Sequence, residues 1–212
     1  MSAVLTPPLT KVTPTLQAAQ PVPQLPPQPF RWTLKDYRAL ARTGFLDDKR
    51  TMLLDGVICL MPNPNPPHDT AVGLTEAWLR GVFVTGYWVR NQMSFDIGED
   101  TDPGPDVAVV PGTIRDYAQA APRVALLIVE VAGSSLFGDT TTKAEKYATA
   151  KVPDYWVIDL ENRQLIVFRD PSPLPAALGA NAYRQRTTYG PDAIVSPLAA
   201  PDASVKVADL LP

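Results

Sequence analysis

Two short apolar runs, residues 107–110 and 125–131, limit what this chain can build more than any other feature. Neither alternates between apolar and polar residues, so each must be covered on both faces, as are the inner strands of a sheet layered between helices. Each run also meets a carboxylate where water is scarce. Asp106 opens the first, directly after Pro105, and Glu130 stands one residue from the end of the second. A carboxylate so placed is costly unless a metal, a cation or hydrogen bonds compensate it. A structural ion pair or a loop cap would satisfy that demand, and so would a functional site.

Around these runs the chain reads as mixed α and β about one central sheet. Thr33 followed by Asp36 signals a helix start, with Leu34, Tyr37 and Leu40/Ala41 on one face and Gly44 past the last turn. Residues 51–54 and 57–60 flank Asp55-Gly56, a strong hairpin signal. A proline-rich loop over 61–67 leads into His68, and the spacing then predicts a helix over 69–84. Residues 87–97 read as a long strand, 139–150 as a helix, and 154–159 with 164–168 as a second hairpin. Residues 183–189 and 194–195 read as edge strands, and 207–211 as a short turn. Trp88 and Trp156 fall within strands, where core packing is the plainer role.

Residues 1–29 differ in kind. They hold eight of the 24 prolines, and Lys11 is their only charged residue. Such a segment buries no core and is expected to be an extended or disordered tail, leaving residues 30–212 as the folded domain. The whole chain is 45% hydrophobic and 19% charged, as suits a globular protein. Its net charge of −3 means that any nucleic-acid contact depends on a local patch. Arg163, Arg169, Arg184 and Arg186 form one candidate strip, although charged residues there also guard a sheet edge. The single cysteine, Cys59, excludes an intramolecular disulfide and reads as a buried thiol. With no signal-peptide pattern and no apolar run near the roughly 20 residues that cross a bilayer, a cytoplasmic location is expected.

Lys143 gives the two carboxylates a chemical context. It stands four residues after Asp139 on the helix that follows Glu130, and the intervening segment carries Gly133 and Gly138. That connection can return the helix start to the strand end. Asp139 and Lys143 also make an ordinary surface pair at this spacing. If they converge with Asp106 and Glu130, two carboxylates can hold a hydrated Mg²⁺. The lysine can then orient a water and screen charge on a phosphodiester.

One ordered series of motifs resembles a known family. It comprises Pro105-Asp106 with its apolar run, Leu127 to Ser135 around Glu130, then Asp139, Lys143 and Tyr147, then Val152 to Asp159. These segments are similar to the Uma-type restriction endonuclease family of the PD-(D/E)XK nuclease superfamily, and Leu54-Asp55-Gly56, Met61-Pro62 and His68 fit its earlier blocks. The resemblance implies a restriction-endonuclease-like central mixed sheet flanked by helices, and an endonuclease that hydrolyses DNA with Mg²⁺ or Mn²⁺. Asp106 and Glu130 would be the metal ligands and Lys143 the catalytic lysine. The superfamily's usual lysine position is Ala132 here, so the lysine has moved to the helix. Tyr147 would line the same face or pack in the core, and His68 would act on a proton or a phosphate, or simply open its helix. A homodimer would suit cleavage of two antiparallel strands.

The first hairpin departs from that family's pattern. Met52 and Val57 stand where acidic residues are common, and Asp55 either compensates or serves the turn alone. The departure keeps two other readings open: a catalytically silent nuclease-like domain that binds nucleic acid or protein, and a hydrolase of smaller phosphate esters.

Overall fold

Both apolar runs become inner strands of a six-stranded sheet. The computed structural model describes residues 28–175 and 181–212, so the expected proline-rich tail lies almost wholly outside the described residues. In chain order the elements are α1 (Leu34–Ala41), β1 (Thr51–Leu54), β2 (Val57–Leu60), α2 (Pro66–Val82), β3 (Tyr87–Asn91), β4 (Val107–Pro111) and β5 (Leu127–Ala132). There follow α3 (Leu136–Gly138), a π-helical turn (Asp139–Lys143), α4 (Ala144–Thr149), β6 (Asp154–Asp159), β7 (Gln164–Pro173) and β8 (Asn181–Tyr189). The two-residue strands β9 (Ile194–Val195) and β10 (Val205–Lys206) pair with each other outside the main sheet.

The main sheet runs in the order β3-β4-β5-β6-β7-β8. Only β5 and β6 pair in parallel; every other neighbour is antiparallel. The parallel pair needs a crossover, and α3, the π turn and α4 supply it. Because side chains alternate along a strand, the sheet divides the core in two. Val107, Val109, Leu127, Val129 and Val131 pack with Ala71, Val72 and Leu79 of α2. Ala108, Val110, Ile128 and Ala132 pack with Tyr147, Val152 and Phe95 on the other face. Each such fully buried large apolar side chain contributes roughly 1.5–3 kcal/mol.

Local chemistry sets the element ends. Thr33 and Asp36 form a reciprocal capping box on α1. Asn65 caps α2 by accepting from the His68 amide, with Pro66 at the first helical position. The hairpin of β1 and β2 turns at Asp55 and Gly56, both at positive φ. A Cβ on Gly56 would stand 2.9 Å from that of Arg31, so the turn requires glycine.

Two expected elements change. The strand over 87–97 stops at Asn91, because Gln92 adopts φ +46° and the chain leaves the sheet. The segment beyond it instead bridges to the first hairpin, where Asp102 pairs with Leu53. The helix over 139–150 begins earlier, at Leu136, and widens into the π turn. Thr140 and Thr141 explain the widening: their hydroxyls donate to the carbonyls of Leu136 and Phe137 at 2.7 and 2.5 Å, in competition with the ordinary helical ladder. Such turns recur at functional sites.

Candidate active site

Strand register brings the two acids together. β4 and β5 pair Val109 with Leu127, Ala108 with Ile128 and Val107 with Val129. One further step along that register sets Asp106 opposite Glu130. Asp106 Oδ2 accepts the Val131 amide at 2.8 Å, which fixes the carboxylate where the ladder ends. Glu130 shares a strand face with Ile128 and Ala132, the face that the crossover helix covers. That parity is why Glu130 meets the helix rather than α2.

The crossover answers with a buried charge network. Lys143 Nζ lies 2.9 Å from Glu130 Oε2 and 3.0 Å from Asp139 Oδ1. Ser135 donates to Asp139 Oδ2 at 2.6 Å, and Tyr147 donates to Glu130 Oε1 at 2.6 Å. The Tyr155 hydroxyl donates to the Asp139 carbonyl at 2.8 Å, pinning the π turn to β6. Asp106, Glu130, Asp139 and Lys143 are all buried. From the other side of the sheet end, His68 Nε2 approaches Asp106 Oδ2 at 3.3 Å.

The electrostatics follow from burial. Desolvation pushes the Glu130 carboxyl up to about 8; Asp106 and Asp139 add to the rise, and Lys143 and Tyr147 oppose it. For Lys143, burial disfavours the ammonium, but Glu130, Asp139 and Asp106 outweigh it and hold its pKa above the ordinary value. Burial also opposes the Asp106 carboxylate, yet the His68 and Val131 hydrogen bonds keep its pKa below the usual range. His68 is raised, chiefly by its hydrogen bond to Asp106.

Lys143 contacts Glu130 and Asp139 with Asp106 close by, and the negative charge of the two aspartates adds to the desolvation that chiefly raises Glu130. A divalent cation would relieve it. Among the described residues no three His, Cys, Asp or Glu side chains gather as a ready metal cage. Asp106 and Glu130 supply the hard oxygen donors of which a hydrated Mg²⁺ would need one or two. Asp106 has its second oxygen free of protein hydrogen bonds among the described residues, and Glu130 would share its Oε2 with Lys143.

All four groups, with His68, line one cavity of about 740 Å³. Met52, Leu54, Val57, Cys59 and Leu60 of the first hairpin line the same cavity. Cys59 is accordingly half-buried at the cavity rather than fully enclosed in the core. Asp55 reaches the rim, but its Oδ1 pairs with Lys146 at 2.7 Å and its backbone makes the turn. Tyr147 reaches the cluster only through Glu130, as a fully buried hydrogen-bond donor.

Of the four C-terminal arginines, Arg169 pairs with buried Asp154 and Arg184 lies 4.0 Å from Asp170 Oδ2, while Arg163 donates to the Pro212 carbonyl and Arg186 lies over Phe168, and none of them lines this cavity. Arg31 and Arg50 line the cavity instead. Sequence reasoning passed over these two, and over Ser135 as the partner of Asp139. The i,i+4 spacing of Ser135 before Asp139 was the available signal; nothing in the local sequence marks the two arginines.

Known proteins resemble this chain in family and in fold. Residues 34–208 match the model of the Uma2 family, described as "Putative restriction endonuclease". No curated protein matches the chain. Among solved structures, a crystal structure of a "putative nuclease" of the DUF820 group from Anabaena variabilis aligns with a TM-score of 0.65 and 18% identity. The alignment covers 84% of this chain and 96% of that one. At that identity the likeness is one of fold: a central mixed sheet flanked by helices.

Proposed function

The chain belongs to the Uma2 family, and from that premise we propose that it is a Mg²⁺- or Mn²⁺-dependent endonuclease that hydrolyses DNA phosphodiester bonds at Asp106, Glu130 and Lys143. The observation that carries this reading is the shared cavity, lined by the buried carboxyls of Asp106 and Glu130 with Lys143 Nζ 2.9 Å from Glu130 Oε2.

Asp106 and Glu130 would hold the ion, which supplies Lewis-acid stabilisation of phosphoryl charge and a more acidic bound water. Asp106 is suited to this as a carboxylate that stays ionised despite burial. Lys143, anchored by Glu130 and Asp139 at the cavity, has one N–H left to orient a water or to meet a phosphate oxygen as charge grows on it. Asp139, itself held by Ser135, keeps that ammonium at the Glu130 side. His68 steadies the Asp106 carboxylate through Nε2, while its buried Nδ1 has no hydrogen-bond partner among the described residues.

Plasmid cleavage in Mg²⁺ and Mn²⁺ tests the reading, with Asp106→Ala, Glu130→Ala and Lys143→Ala alongside the native chain. Metal-dependent cleavage lost in all three variants is expected. A native protein that leaves DNA intact in either metal, and remains folded, would favour a silent nucleic-acid-binding or protein-binding domain, the reading that Met52 and Val57 support. A homodimer in a cytoplasmic setting remains part of the proposal, to be tested by sedimentation and fractionation. No helix among the described residues is long and apolar enough to cross a membrane.

A further inference from the structure

Beyond the charged cluster, the cavity is lined by apolar side chains that stand open to solvent. Leu60 and Val57 of β2 are 72% and 44% exposed at the cavity, and Phe137 of α3 is 80% exposed. Phe137 is the most exposed large hydrophobic side chain among the described residues, and it sits two residues before Asp139 of the charge network. Its backbone is held, since its carbonyl accepts the Thr141 hydroxyl at 2.5 Å. The ring therefore stands on a fixed support at the mouth of the site.

Positive charge shares that mouth. Arg31 and Arg50 line the cavity, and each donates to a neutral carbonyl, of Asp55 at 3.0 Å and of Pro62 at 2.9 Å. Neither guanidinium is paired with a carboxylate among the described residues, so both keep their charge available for phosphates.

An intact duplex offers such a wall little. It turns phosphates and sugars outward and keeps its bases stacked. A base outside the stack offers a flat π-face that packs on exposed aromatic and aliphatic side chains while basic groups follow the backbone. We infer that the site takes unpaired DNA nucleotides, in single strands or frayed ends, with a base packed against Phe137 and Leu60 and flanking phosphates at Arg31 and Arg50. This rests on the DNA phosphodiesterase reading for the identity of the substrate, and adds that the substrate is single-stranded where it is held.

The test is fluorescence anisotropy of the full chain with a labelled oligonucleotide, single-stranded or annealed to its complement, in Ca²⁺ so that binding is read apart from cleavage. The single strand is expected to bind about tenfold more tightly, and Phe137→Ala to weaken it by about tenfold while changing duplex binding less than about twofold. Phe137→Trp should restore single-strand binding. Equal affinity for both forms, or an equal loss on both in Phe137→Ala, would overturn the inference. So would a Phe137→Ala chain that binds single strands normally but sediments as a smaller species, because the wall would then be a contact between copies. A protein that shows the expected binding and cuts no DNA in Mg²⁺ or Mn²⁺ defeats the phosphodiesterase reading alone; one that cuts DNA and binds both forms equally defeats this inference alone.

Discussion

Two walls line one cavity, and they are made by opposite means. The wall from β4, β5 and the π turn is charged and buried, and almost every polar atom in it has a named partner. The wall from the first hairpin is apolar and partly exposed, with Met52, Val57, Cys59 and Leu60 presenting no acid or base at neutral pH. Burying ions costs several kcal/mol each even when they are paired, so a protein keeps such a cluster only where geometry or chemistry requires it. The hairpin carries no such cost and is free to vary. On the proposed reading the first wall carries the chemistry and the second meets the substrate.

The largest effect expected breaks the comparison on the charged side. Lys143→Met keeps the side chain's length and removes its charge, and should lower DNA cleavage roughly 100- to 1000-fold. Met52→Ala on the hairpin wall should change it by less than about threefold. Cleavage rates of the two variants at saturating Mn²⁺ check the contrast; similar losses in both would make the walls equivalent.

A smaller effect should come from turning part of the apolar wall into the charged one. Met52→Glu adds a carboxylate beside the cluster, where the family pattern commonly has one. It should tighten Mg²⁺ binding by about tenfold by adding an oxygen ligand. Calorimetric titration of metal into both proteins reads this directly, and unchanged affinity would mean that position 52 lies outside the reach of the ion.

The smallest effect concerns stability. At low pH the Glu130 carboxyl is protonated in the folded and unfolded chain alike and costs nothing. As pH rises from its ordinary value of 4.5 to about 8, the unfolded chain releases the proton while the buried site retains it. The unfolded state gains, so native stability falls across that window and levels off above it. Metal-free Glu130→Gln should therefore gain on the native chain by a few degrees in Tm between pH 4.5 and 8. A constant difference between the two melting curves would mean that Glu130 does not carry the strained charge.

Much of this was legible in the residues, for reasons particular to each. The hairpin at Asp55-Gly56 and the capping box at Thr33 and Asp36 are local chemistry and formed as expected. The central sheet followed from runs too apolar to be half-exposed. Convergence of Lys143 on Glu130 was suggested by the i,i+4 pair after the strand, but the π turn that carries it was not. Thr140 and Thr141 bond backward only once the helix exists, so their effect cannot be read as a propensity. The early end of β3 depends on one positive φ at Gln92, and the second wall depends on a hairpin meeting a helix start some 80 residues away in sequence. Neither leaves a local signal.

Asp106 and Glu130 are the proposed ligands of a divalent ion, and isothermal calorimetry of Mn²⁺ into the folded native chain and into Asp106→Asn, with Tm recorded for both, reads that ion directly. One binding event that raises the Tm is expected on the native protein and none on Asp106→Asn, which remains folded. No heat and no change in Tm on the native chain would contradict the proposal.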